Sequence, residues 1–178
     1  AGYGNVSLAL ARLGICITDI VNCEEETLFA KKYIAEESLP LEWITGILET
    51  TDFGKRQFDV VIAGEVIEHV ADPMSFLQKC CDLAKQAVII TTPFGSCDHG
   101  WLPNADWRNN CAHVRAFSRR SFEQLIGSLT GVKLAGEISK MLAITNYLRE
   151  NVFCLCAKLV KTEVPKNVST EVVASKLA

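Results

Sequence analysis

The feature that most constrains the fold is Phe58-Asp59-Val60-Val61-Ile62-Ala63, an apolar run no longer than a strand. A strand with one wet face alternates apolar and polar residues. A continuous Val/Ile run suits a strand covered on both faces, as in a parallel sheet between helices. Ala87-Val88-Ile89-Ile90-Thr91-Thr92 repeats the signal further along. Between the two, Asp72-Pro73 offers a helix N-cap followed by proline at the first helical position, predicting a helix to about Ala84.

The rest of the chain keeps this alternation. Ser7 to Leu13 is apolar at helical spacing and stops at Gly14. Ile15 to Asp19 reads as a short buried strand with an acid at its carboxyl end, Glu24 to Glu37 as a second helix and Leu41 to Ile47 as a strand. Ser118 caps a helix to Leu129, and Val132 to Ile138 and Asn151 to Val160 are the last two predicted strands. The expected class is α/β, a Rossmann-like, doubly wound, mostly parallel sheet with helices on both faces. Residues 1–160 are read as one domain and 161–178 as a polar tail, poorly ordered or loosely helical.

Composition excludes several classes. A net charge of -3 argues against a broad nucleic-acid-binding face. No apolar run approaches the roughly 20 residues of a membrane-spanning helix, and no signal peptide is visible at the first residue. The eight cysteines lack the spacing of a disulfide scaffold, and Cys16, Cys154 and Cys156 sit in apolar runs. Reduced thiols in a cytoplasmic protein are the expectation.

In a parallel sheet ligands bind outside the carboxyl ends of the strands. Ala1-Gly2-Tyr3-Gly4-Asn5 lies just before the first predicted helix, where glycines permit a tight turn and helix amides face a ligand. Asp19, one helix and one strand later, is placed to accept ribose hydroxyls. The plainer alternative is a tight strand-to-helix turn. Gly2 to Ser7 also loosely fits a nicotinamide-dinucleotide fingerprint.

Glu65, Glu68 and His69 have i, i+3, i+4 spacing, so a helical turn would put them on one face. Two carboxylates and an imidazole, with His113 completing the set, would attract a divalent cation such as Mg2+. The alternative is that Glu65 contacts a cofactor, Glu68 caps backbone and His69 packs. Cys97-x-His99 and Cys111-x-His113 form a second possible metal set, of zinc type. They lie in a long polar loop, Pro93 to Arg115, with Phe94, Trp101 and Trp107, which would line a substrate or form a satellite core. Arg108 and Arg115 are candidate anion ligands.

These segments together resemble the class I S-adenosylmethionine-dependent methyltransferases. Ala1-Gly2-Tyr3-Gly4 is similar to the second half of their G-x-G-x-G motif, which implies a first strand upstream of Ala1. Phe58-Asp-Val-Val and Glu65-Val-Ile-Glu-His-Val-Ala-Asp-Pro73 resemble the ubiquinone-biosynthesis-like O-methyltransferases. Ile89-Ile-Thr-Thr-Pro93 and His113-Val-Arg-Ala-Phe-Ser118 extend the likeness. The resemblance implies an antiparallel last strand and S-adenosylmethionine held by Ala1, Gly2, Gly4, Asp19, Ile20, Ile47 and Glu65. It implies a catalytic edge of Glu68, His69 and His113. Relatives carry an Asp after the glycine ending strand three; here Gly46 is followed by Ile47, Leu48 and Glu49, so a backbone group or Glu49 takes the adenine. Glu65, Glu68, His69 and His113 also resemble the metal set of Hen1-type RNA 2'-O-methyltransferases. The expected activity is O-methylation of a small-molecule hydroxyl. A non-catalytic methyltransferase-like subunit, a metal-dependent RNA methyltransferase and a dinucleotide-binding oxidoreductase are the alternatives.

Overall fold

The elements form where local chemistry asks for them. A computed structural model describes residues 4–21, 28–54, 57–94, 114–143, 152–162 and 171–175. Helix α1 (Asn5–Arg12) is entered from Gly4 at φ 73° and left through Gly14 at φ 80°, a left-handed region that favours glycine. Strand β1 (Cys16–Val21), helix α2 (Leu28–Glu37), strand β2 (Leu41–Thr45) and strand β3 (Phe58–Gly64) follow. Helix α3 (Pro73–Leu83) starts as expected. The Asp72 side chain accepts the amides of Met74 and Ser75 and the Ser75 hydroxyl, which holds its carboxyl below the usual range.

Strand β4 (Ala84–Pro93) leads to helix α4 (Arg119–Gly127), capped by Ser118 as the sequence predicts. Strands β5 (Val132–Leu134), β6 (Ser139–Ala143), β7 (Val152–Lys161) and β8 (Glu171–Ser175) complete the order. Among the described residues no helix is long and apolar enough to cross a membrane.

The sheet runs β2-β1-β8-β3-β4-β7-β5, with β6 paired to β7 off this path. The block from β2 to β4 is parallel, and β7 is antiparallel to β4, β5 and β6. The apolar run from Phe58 to Ala63 lies in β3, covered on both faces. Val61 and Ala63 join a core with Phe76, Leu77, Phe122 and Ile126, whereas Val60 and Ile62 pack in a second cluster with Ala11 of α1. That two-residue alternation puts α3 and α4 on one side of the sheet and α1 on the other.

Two expectations need correction. Beyond Leu134 the chain makes a separate strand, β6, where a single strand to Ile138 is predicted. The tail from residue 161 is not wholly loose: residues 171–175 lie between β1 and β3, parallel to both. Thus β8 occupies the middle position for which a strand upstream of Ala1 is expected. Val172 and Val173 are good strand formers, and a strand there pairs backbone groups that β1 and β3 otherwise leave facing one another.

Candidate functional site

The parallel strands end along one edge, at Val21, Thr45, Gly64, Pro93 and Ser175. The turn at Gly14 folds α1 back along β1, so the start of α1 faces this same edge. Ser7 in its first turn donates a hydrogen bond to Asp19 Oδ2.

Asp19 is not at the carboxyl end of its strand, as the sequence reading has it; β1 continues to Val21. Its side chain is 0% exposed, and Oδ1 has no hydrogen-bond partner. Burial pushes its pKa up to about 7, against the lowering effect of the Ser7 hydroxyl. Asp19 therefore anchors the first turn of α1 and keeps one acceptor oxygen open. Ile20 points the other way, into the main core. Ile47 is 56% exposed beside Gly46, whose amide donates to the Val21 carbonyl at 2.8 Å. A Cβ on Gly46 would lie 2.8 Å from Thr51 Oγ1, so a larger residue there would push the Thr51 hydroxyl off its bond to Ile47 O. Glu49 is exposed nearby. Gly4 is the described part of the glycine turn; Ala1 and Gly2 lie outside the described residues.

The sign of the Asp19 effect makes a stability prediction. Its folded pKa is raised, so its contribution is fully present below the unfolded value of 3.8 and is lost as pH rises towards about 7. Asp19→Asn cannot ionise. From pH 5 to pH 8 the variant is expected to gain about 2 kcal/mol relative to the parent in urea unfolding. Parallel pH curves for the two proteins would contradict the buried acid described here.

The second cluster lies at the ends of β3 and β4. Glu65 follows β3 at φ 54°, left-handed backbone that is costly for a side chain and frequent at functional sites. Its amide donates to Thr91 O at 3.0 Å. A single turn follows, closed by His69 N to Val66 O at 2.9 Å. The expected helical face therefore does not form, although Glu68 and His69 still lie side by side. Glu65 Oε2 lies 3.6 Å from Cys154 Sγ on β7. Glu68, 1% exposed, accepts from Thr92 Oγ1 on Oε2 at 3.0 Å, and its Oε1 lies 3.8 Å from His69 Nε2.

Cys154 is no nucleophile. Burial first, then the charges of Glu65 and Glu68, push its thiol up to about 12. Among the described residues no three His, Cys, Asp or Glu side chains group to hold a metal ion. Of the expected metal set, Glu68 is turned to Thr92 and His69 and Glu65 to Cys154, while His113 lies outside the described residues.

His113, Cys97, His99, Cys111, Trp101, Trp107 and Arg108 lie outside the described residues. The next residue, Val114, donates its amide to Glu68 O at 2.9 Å, so the chain leaving His113 is tied to the Glu68 turn. Arg115 donates to Ala71 O at 2.9 Å, which ties it to the end of the Glu68 turn. Phe94 carries Lys140 Nζ 4.2 Å above its ring. Sequence reasoning missed Ser7, Thr92 and Cys154. Only Thr92 left a signal: a hydroxyl closing an apolar run at the carboxyl end of a parallel strand.

Comparison with known proteins bears on the family and the fold. Residues 1–91 match the model of the family described as methyltransferase domain. The ubiquinone biosynthesis O-methyltransferase of Caulobacter vibrioides is 39% identical over 90 residues, covering 50% of this chain and 36% of the relative. That of Parvibaculum lavamentivorans is 34% identical over 84 residues, covering 47% and 33%. The matched region thus spans about a third of these relatives' length. Among solved structures, magnesium protoporphyrin IX methyltransferase from Synechocystis PCC 6803 with bound SAM aligns at TM-score 0.63 and 16% identity, over 90% of this chain and 66% of that one. The 4+2 cyclase SpnF aligns at TM-score 0.72 and 12% identity, over 92% and 73%. These structures share the fold, and their different names, a cyclase and a methyltransferase, show that the fold does not choose the chemistry.

Proposed function

The chain belongs to the methyltransferase domain family, and from that premise we propose that it binds S-adenosylmethionine and O-methylates a small molecule. The observation that carries the catalytic half is the Thr92–Glu68–His69 chain at the carboxyl edge of the parallel strands. When bound, the cofactor supplies an electrophilic methyl group. Asp19 Oδ1, buried with acceptor capacity still open, suits one further donor such as a ribose hydroxyl. The exposed Ile47 suits one face of the adenine, and the start of α1 at Gly4 suits the cofactor's polar tail.

The protein's own task is alignment of the acceptor oxygen and removal of its proton. Glu68 Oε1 faces His69 Nε2; an N–H there leaves Nδ1 as the base that takes the acceptor's proton. Glu68 then stabilises the imidazolium. His113 is kept as a second candidate for the edge. The acceptor classes that fit are a phenol, a sugar hydroxyl or a lipid-like hydroxyl. A net charge of -3 disfavours RNA. The compartment proposed is the cytoplasm.

Thermal melting tests the cofactor half. S-adenosylmethionine and S-adenosylhomocysteine are expected to raise Tm, by about 2.7 kcal/mol of stabilisation at 100 times Kd, with or without EDTA. NAD is expected to leave Tm unchanged. A shift with NAD alone would favour the oxidoreductase alternative, and no shift with either adenosyl ligand would sink the proposal.

A further inference from the structure

Two buried polar atoms on neighbouring strands have no hydrogen-bond partner among the described residues: Asp19 Oδ1 on β1 and the indole Nε1 of Trp43 on β2. Asp19 and Trp43 are paired directly in the parallel register. Paired residues of adjacent strands share a face of the sheet, with their backbones roughly 4.8 Å apart. That face is the α1 side. Ile17 and Leu41, the pair two residues earlier, pack there with Ala11, and Ser7 of α1 donates to Asp19. The intervening pair faces the other way and does meet, Thr18 Oγ1 donating to Glu42 Oε2 at 3.3 Å.

Leaving either atom unmatched is costly, because burial strips its water and nothing else replaces that hydrogen bond. The two are complementary in kind. An indole N–H only donates, and a carboxylate only accepts. A cation does not suit the N–H, and an anion does not suit the carboxylate. One hydroxyl satisfies both, accepting from Trp43 and donating to Asp19. The pair lies two residues inside the carboxyl ends of its strands, Val21 and Thr45, the end at which a parallel sheet receives ligands. We propose that Trp43 is a cofactor-binding residue, its indole N–H and Asp19 Oδ1 together holding one ribose hydroxyl of the adenosyl group. The role of Trp43 rests on the reading of Asp19 as a ribose ligand, to which it adds the donor.

Trp43→Phe keeps an aromatic ring in β2 and removes the N–H. In calorimetric titrations of the full chain, S-adenosylhomocysteine is expected to bind Trp43→Phe about three- to tenfold more weakly than the parent. Of the 2'-deoxy and 3'-deoxy forms of this ligand, one is expected to bind parent and variant equally, because the hydroxyl that Trp43 holds is already gone. The Trp43 indole proton gives a second readout. The chain has three tryptophans, so Trp101→Phe and Trp107→Phe assign its signal by elimination even should Trp43→Phe fold poorly. S-adenosylhomocysteine is expected to move that signal downfield, and the matching deoxy form to leave it in place.

Equal affinity in parent and Trp43→Phe overturns the role of Trp43 and leaves the pair to a bound water only. A loss of the same size with all three ligands overturns it as packing. An indole signal that S-adenosylhomocysteine leaves in place overturns it too, whatever the affinities. Failure of the parent to bind S-adenosylhomocysteine is a different result: it removes the cofactor reading, and the role of Trp43 with it.

Discussion

Val173→Pro is expected to destabilise the protein by about 3 kcal/mol or more and to lower Tm sharply. Val173 sits at the centre of β8, opposite Thr18 of β1 on one side and Val61 of β3 on the other. Proline there removes a ladder donor and puts its ring against a neighbouring strand. The damage should exceed that of a proline on an edge strand, because β8 is the piece between two parts of the sheet. In the strand order β2-β1-β8-β3-β4-β7-β5, β1 and β3 do not pair with each other. Val173→Thr keeps a β-branched residue and every backbone bond, so it should cost far less. Urea unfolding of the two variants against the parent decides the matter. Equal stability in all three would show that residues 171–175 do not hold the middle of the sheet.

The second large effect falls on turnover. His69→Ala should lower kcat by about 10² to 10⁴, the usual worth of a positioned general base. Glu68→Gln should lower it by a smaller factor, since glutamine still accepts from Thr92 but no longer stabilises a charged imidazole. Neither should alter S-adenosylhomocysteine affinity by more than a few-fold, because the proposed function gives both side chains to the methyl acceptor and not to the cofactor. Single-turnover transfer to a phenol and a separate titration of the cofactor measure the two quantities. Full turnover in both variants would take His69 and Glu68 out of the chemistry. Loss of cofactor binding together with turnover would move them to the cofactor side.

Much of this was legible in the residues themselves. The Val/Ile runs of β3 and β4 announced strands covered on both faces, Asp72-Pro73 and Ser118 marked two helix starts, and Gly14 marked a helix stop. These signals are local: a cap, a periodicity or a left-handed glycine acts within a few residues of itself, so its meaning does not depend on the rest of the chain. The family likeness of residues 58–73 also rests on contiguous residues.

The site divided differently. Spacing alone put Glu65, Glu68 and His69 on one helical face, but the positive φ at Glu65 broke that face and sent its carboxylate to Cys154. Asp19 read as a strand-end acid, yet two more residues of strand bury it against Ser7. Both outcomes turn on partners distant in the chain.

What the sequence determined by itself is an α/β chain whose parallel core strands carry acids and an imidazole at one edge. What only the tertiary structure decided is which of those groups meet, and that residues 171–175 occupy the middle of the sheet. The physical reason is range. A helix cap or a buried strand is specified by neighbours in sequence, whereas the partner of Glu68 and the occupant of the space between β1 and β3 are set by backbone pairing and packing across the whole sheet.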